Sequence, residues 1–504
     1  MSTLTTTLDT APNEGRSLFG GRHGREHRWW VLGVLGLAQL MVVLDATIVN
    51  IALPSAQHAL GFSNVDRQWI ITAYSLAFGG LLLLGGRLAD LFGRRRMFLL
   101  GLAGFAISSA IGGASTTFAM LVVARAAQGA FGAMLAPAAL SLLTTTFTDV
   151  KERAKAFAIY GAIAGAGAAV GLLLGGLLTQ YLDWRWCLYV NIIFAVAASV
   201  GALVFLRNQE RAPGARLDLT GTVTAVGGLA ALVYGFSEAD TLGWGSGVTI
   251  GFLVGAVVLL ALFVRLESRV ASPLLPLRVI ADRNRGGANL AILLAGVSMF
   301  GVFLFLTYYL QLTLGFSPVK TGVAFLPLVA GLMVTSTLGG TVLLPRIGAR
   351  PLVSGGMVIA GVGMFLMSHI SVFGGYTTHV MPALVVTGLG MGLIFSAAMN
   401  VATAGAASHD AGVASALPNV AQQVGGALGP ALLNTIATSA ALHFTPVIAG
   451  ASARVIEGAK AVHGDTTAFT VVYLILFASA IICGLVLKGG RPQPSVVADE
   501  VSER

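Results

Sequence analysis

Apolar residues run in blocks of about 20, the length at which a helix crosses the ~30 Å hydrocarbon core of a bilayer. Charges and turn residues break the pattern into fourteen such runs, at 30–51, 70–87, 97–114, 118–143, 156–180, 187–206, 218–237, 247–265, 288–313, 322–344, 351–370, 380–403, 413–440 and 469–487. The pattern therefore predicts fourteen transmembrane helices and no sheet. Its softest stretch is 218–265, where Glu238 and Asp240 separate two shorter runs.

Composition agrees: 56% of the 504 residues are hydrophobic and 10% charged, against about 25% charged in an ordinary soluble chain. The 65 glycines suit helices that pack closely in lipid. The net charge of +9 comes from short basic clusters between apolar runs, so it points to membrane topology and not to nucleic acid. Lys and Arg collect in cytoplasmic loops. With the N-terminus inside, 24 of the 30 basic residues fall on that side and five outside (Arg67, Arg185, Lys320, Arg454 and Lys460), with Arg125 stranded inside a run. An error of one helix would destroy that asymmetry, so both termini are expected in the cytoplasm. Residues 1–28 lack an apolar core ahead of a cleavage site and read as a disordered cytosolic tail. Cys187 and Cys483 fall near opposite membrane faces and read as packing residues.

Two stretches repeat at an offset of eight runs. Gly85–Gly101 (GGRLADLFGRRRMFLLG) resembles Gly339–Gly356 (GGTVLLPRIGARPLVSGG), and Gly167–Gly176 (GAAVGLLLGG) resembles Gln422–Leu432 (QQVGGALGPAL). The organisation expected is a six-helix half at 29–206, a linker with two extra helices at 207–285, a second six-helix half at 286–487, and a cytosolic tail at 488–504. Parallel halves related by an axis along the membrane normal suit a transporter whose site lies between them.

Ionisable groups inside the membrane cost about 2.5 to 3.5 kcal/mol on insertion scales and mark function by default. Asp45 and Arg125 are the two clear cases in the fourteen runs. At 1.5 Å per residue they lie about 9 and 10 Å below the outer edge of their spans. Asp45 is the candidate proton-binding acid, with Arg125 and Gln128 as its coupling partners; a permanent ion pair that only fixes helix packing is the competing reading. In the turn after the second span, Gly86, Asp90, Gly93, Arg94 and Arg95 form a candidate cytosolic latch, with Asp90 accepting from a neighbouring helix N-terminus. Gly167, Gly171, Gly175 and Gly176, with Gly161 and Gly165, put a small-residue face on the fifth span. Met41, Tyr308, Tyr309, Gln311 and Asn400 are candidates for lining a substrate cavity.

Enzyme signatures are missing: there is no Gly-Lys dipeptide for a P-loop, no H-E-x-x-H and no G-x-S-x-G,. No metal-ligand spacing occurs among the eight histidines,.

LDATIVNIALP (Leu44–Pro54), GGRLADLFGRRR (Gly85–Arg96), RAAQGAFGA (Arg125–Ala133), the glycine motif of the fifth span and WRWCLYVN (Trp184–Asn191) together resemble the 14-span drug:proton antiporters of the major facilitator superfamily. The resemblance implies a substrate cavity between two six-helix bundles, export of toxic amphipathic compounds driven by the proton gradient without a cofactor, and a monomer in the cell membrane. It also implies that Asp45 is the family's first-span acid, Asp90 its loop latch, and Arg125 with Gln128 its fourth-span coupling motif. The chain departs from the pattern at Leu172, where the antiporter motif has proline, and at Leu91, where a basic residue is common. With Asp45 the single clear membrane carboxylate, neutral or monocationic substrates are expected. An importer of a small metabolite, or a non-transporting sensor or scaffold, are the alternative functions.

Overall fold

A computed structural model describes residues 22–206, 217–270, 273–404, 410–446 and 452–488. It consists of long helices, the form in which a lipid-embedded backbone satisfies its own hydrogen bonds. In chain order they are α1 (Arg22–Leu60), α2 (Trp69–Phe92), α3 (Arg94–Gly113), α4 (Phe118–Thr146), α5 (Val150–Tyr181), α6 (Trp186–Phe205), α7 (Leu219–Leu242) and α8 (Gly247–Glu267). Then follow α9 (Arg283–Thr313), α10 (Pro318–Ile347), α11 (Ala349–Met367), α12 (Tyr376–Thr403), α13 (Ala411–His443) and α14 (Ala453–Val486). Among the described residues, all but α13 are apolar enough to span a membrane by composition alone. At 33 residues α13 is long enough, but its Asn419, Gln422, Gln423 and Asn434 dilute it; Asn434 bonds to Arg67, Asn64 and Val65.

Helix starts follow from side-chain caps. Thr117 accepts from Met120 N, Asp149 from Lys151 N and Glu152 N, Ser246 from Val248 N, and Ser317 from Lys320 N, each satisfying donors that a helix leaves open. The apolar exteriors are the lipid belt: Ile193, Val204, Val257 and Ile481 are among the large side chains left exposed.

Pairings in the first half (α1 with α5 and α6, α2 and α3 with α4, α3 with α6) recur eight helices later as α9 with α13 and α14, α10 and α11 with α12, and α11 with α14. The repeated turns also share a backbone: Gly93 (φ +97°) joins α2 to α3 and Gly348 (φ +81°) joins α10 to α11. Only glycine adopts that region without strain. The inserted α7 and α8 pack on one another, and α7 covers the seam where α2 meets α13. A short helix, Leu277–Ala281, leads into α9; Arg278 grips Asp410 at the start of α13 through Nε–Oδ2 (2.7 Å) and Nη2–Oδ1 (2.8 Å).

Three expectations are corrected. α1 begins at Arg22, so residues 22–28 are helical and not tail; residues 1–21 lie outside the described residues. α14 begins at Ala453, well before 469, which places Asp465 inside the helix. Asp45 and Arg125 are not the only buried charges: Arg67, Asp218, Glu267, Asp410 and Asp465 are buried as well.

Candidate functional site

The end of the bundle carrying Arg87, Arg94–Arg96 and Lys151 is called the basic end, and the opposite one the distal end. In the distal part of the first half, α1, α2, α3, α4 and α6 converge on one polar core. Arg125 Nη1 meets Asp45 Oδ2 at 2.6 Å. Arg125 and Gln128, three residues apart, share a face of α4, and Arg125 Nη1 also donates to Gln128 Oε1 (2.9 Å). Gln128 Nε2 donates to Asp45 Oδ1 (3.1 Å) and to Ser109 Oγ (2.7 Å). Asn191 Nδ2 donates to Asp45 Oδ1 at 2.7 Å. On the far side Arg125 Nε donates to Ile70 O (3.2 Å) and the guanidinium lies 4.4 Å from the centroid of Tyr74. Asp45 is 0% and Arg125 2% exposed. Gly129 makes this reach possible, since a Cβ there would run into the backbone of α2 at Tyr74 and Phe78.

Both oxygens of Asp45 therefore accept from fixed donors, which is what a desolvated ion pair needs. Beside Arg125 a space of about 10 Å³, lined by Ile70, Leu121 and Trp184 among others, holds at most one water. Nearby, Tyr74 Oη and Asn191 Oδ1 are buried without a hydrogen-bond partner among the described residues. Asn191 belongs to the WRWCLYVN motif, yet its role as a ligand of Asp45 was not read from the sequence, because only folding brings α6 against α1.

The glycine face of α5 serves two purposes. Gly167, Gly171 and Gly175 press on α1 at Val43, Thr47 and Ile48. Gly176 instead faces the other half, where a Cβ would sit 2.7 Å from Pro318 O and 2.8 Å from Val319 Cα; Gly322 of α10 presses in return on the Leu172 carbonyl. Toward the basic end the contact lapses: Gly165 reaches only Met333 Cε, at 4.0 Å, and Gly161 has nothing within 4 Å. The α5–α10 seam is thus shut distally and open basally. Leu172, where the family motif has proline, is fully buried in that distal contact.

At the basic end Asp90 is half-exposed and meets Arg94 at 3.9 Å. No side chain caps α3, whose N-cap is Gly93. Arg95 Nη2 donates to Leu203 O (3.1 Å), and Gly86 faces Pro137 of α4.

The five cavity candidates do not share one opening. Met41 is fully buried in the core of the first half. Tyr308 and Tyr309 are buried, donating to Gln57 Oε1 (2.5 Å) and Ser371 O (2.8 Å). Gln311 Nε2 donates to Ile51 O (3.0 Å), and Asn400, exposed near the basic end of α12, donates to Ser396 O (2.7 Å). Tyr308 and Gln311 thus help seal the distal end.

That seal includes residues the sequence reading passed over. Arg67, counted as a loop residue, is buried, and its Nε donates to Asn434 Oδ1 at 3.0 Å. Asn434 Nδ2 returns bonds to Asn64 O (3.2 Å) and Val65 O (3.4 Å). Thr72 Oγ1 donates to Ala427 O at 3.4 Å. Asp465 lies behind this clasp on α14. The available signal was the spacing Val455, Ala459 and Val462, one helical stripe that continues into the apolar run. No group of three or more His, Cys, Asp or Glu side chains suited to a metal occurs among the described residues.

The Major Facilitator Superfamily profile matches residues 35–430. The chain belongs to this superfamily. As a superfamily member it is a multi-pass transporter of the cell membrane. It is 51% identical over 462 residues to the puromycin resistance protein of Streptomyces alboniger, covering 91% of each chain. Identity is 40% with the cephamycin export protein of Amycolatopsis lactamdurans, over 80% of this chain and 83% of that one. It is 32% with the lincomycin resistance protein of Streptomyces lincolnensis, over 94% of each. Among solved structures, an inward-facing, occupied bacterial homolog of the human lysosomal transporter Spinster shares the fold with a TM-score of 0.65 at 17% identity, covering 91% of this chain and 97% of that one.

Proposed function

We propose that the protein exports hydrophobic or monocationic antibiotic-like compounds from the cell in exchange for protons, by alternating access between its two halves. Relatives named for puromycin resistance, cephamycin export and lincomycin resistance support the export of antibiotics. The observation that carries proton coupling is the Asp45–Arg125 contact, 2.6 Å long and closed off within one half. A proton delivered to Asp45 removes the charge that holds Arg125. The guanidinium then retains Ile70 O, Gln128 and the Tyr74 ring as partners, while α1 is released from α4. Because Asp45 also holds α6 through Asn191, its protonation loosens three helices at once, and one proton can bias the packing of the whole half.

The shut distal seam and the open basal α5–α10 seam fit a state that receives substrate from the cytoplasm. In this reading the basic end faces the cytoplasm, as the loop arginines demand, and Asp90 engages its latch only in the opposite state. The substrate is the partner, no cofactor takes part, and the working unit is the monomer. Everted vesicles with a pH-sensitive dye and a panel of hydrophobic antibiotics test the reading. The expected result is substrate-induced proton movement that Asp45→Asn abolishes at unchanged protein level. PH-gradient-driven transport surviving in that variant would move the coupling role elsewhere.

A further inference from the structure

The distal clasp is asymmetric. Arg67, just ahead of α2, comes from the first half, but every group its guanidinium touches belongs to the second. Its Cζ lies 4.2 Å from the ring centroid of Tyr308 and 5.7 Å from that of Phe305, and its Nε is held by Asn434. Asp465 lies one turn before Phe469 of α14, whose ring packs edge-on against Phe305 at 6.1 Å; it is only 6% exposed and forms no ion pair or hydrogen bond among the described residues. Tyr309, the other titratable group beside it, donates its hydroxyl elsewhere, to Ser371 O. Ring faces and a carboxylate in a desolvated pocket are the chemistry that recognises organic cations. Arg67 fills that chemistry without completing it.

We propose that Phe305, Tyr308, Asn434 and Asp465 form a receptor for a monovalent organic cation in the second half, occupied by Arg67 when the distal end is shut and by the cationic head of the exported compound when it is open. Separation of the halves at that end withdraws Arg67 with α2, because its helix belongs to the first half. The receptor then keeps a buried acid and two exposed ring faces, and an entering cation takes the place of Arg67 beside them. Reclosure returns Arg67 to the same faces and drives the cation out. Arg67 acts as a tethered competitor that favours release on closure. This rests on the export reading for its direction, but the receptor itself is a binding site that stands without it.

The experiment uses the full chain in lipid nanodiscs and two probes of matched shape, benzylguanidinium and uncharged benzylurea. Arg67→Gln, which can still bond Asn434, is expected to bind benzylguanidinium about tenfold more tightly than the native chain does, with benzylurea unchanged. Adding Asp465→Asn must erase the gain. No gain in folded Arg67→Gln, an equal gain for benzylurea, or a gain that survives Asp465→Asn would each overturn the proposal. Should Arg67→Gln not fold, Asp465→Asn alone carries the test in the same nanodiscs. It must weaken benzylguanidinium about tenfold relative to benzylurea, and equal binding of the two would overturn the receptor. Everted vesicles that move neither probe while these binding results hold would remove the export reading and leave the receptor in place.

Discussion

Two Arg–Asp sets lie in the distal part of this transporter, and they are built oppositely. Asp45 and Arg125 sit inside one half at 2.6 Å, each carboxylate oxygen supplied with a donor. Arg67 and Asp465 come from different halves and form no ion pair with one another; Arg67 is held by Asn434 instead. A pair within a half need not part when the halves rock, so it can be saturated with hydrogen bonds and still switch by gaining a proton. Across the seam a saturated pair would weld the halves, since breaking a buried ion pair costs about 3 to 5 kcal/mol. The looser set, with Asn434 and a ring face in place of a direct carboxylate contact, holds the seam shut and leaves it openable.

Substitutions that break this contrast should rank accordingly. The largest effect is expected at Asp45: Asp45→Asn should cut pH-gradient-driven efflux in everted vesicles by roughly 100-fold or more, the scale of a lost buried charge partner. A double-mutant cycle sharpens the point. Arg125→Gln alone leaves Asp45 buried without its cation, so the Asp45→Asn/Arg125→Gln protein should melt at a higher temperature than Arg125→Gln, with a coupling of about 1 to 3 kcal/mol. Strictly additive melting shifts would mean the pair is not the unit described. Next comes Asn191→Ala, which deletes one donor to the carboxylate; transport should fall by about 10- to 150-fold, matching about 1.5 to 3 kcal/mol for a hydrogen bond to a charged group.

The glycine face offers a test at equal chemistry. Gly171→Ala drives a methyl into Thr47 and the Leu44 carbonyl, and should lower the yield of folded protein in detergent with a cost of about 1 to 3 kcal/mol. Gly161→Ala meets open space and should stay within about 0.5 kcal/mol of the native chain. The smallest effect belongs to Tyr308→Phe, which removes only the bond to Gln57 across the seam. It should shift the balance toward the distal-open state by about 1 kcal/mol, read as faster labelling of a cysteine placed at the distal end.

The reading from residues alone reached the helices, the eight-helix offset of the repeat, and the matching depths of Asp45 and Arg125, because each of these rests on spacing along one helix or on charge in apolar runs. It missed the burial of Arg67 in its loop, and it left Asp465 outside a helix for a physical reason. Hydropathy registers what faces lipid, whereas the early turns of α14 are polar and shielded by protein, so they read as loop. The premise of a single membrane carboxylate fell with that misplacement. Asn191 was visible inside a quoted motif, but nothing local to α6 marks its amide as a ligand of a residue 146 positions away.

What the sequence by itself determined is the list of segments that must leave water and the two half-repeats they form, since burial of apolar length and the placement of Lys and Arg are one-dimensional constraints. Tertiary structure alone decided which charges meet and which do not. Contact between Asp45 and Arg125, and its absence between Arg67 and Asp465, depends on helix approach distances set by glycines such as Gly129 and Gly176, and on which half each partner rides. Those are properties of packing, in which ångströms separate a sealed ion pair from an unfilled receptor.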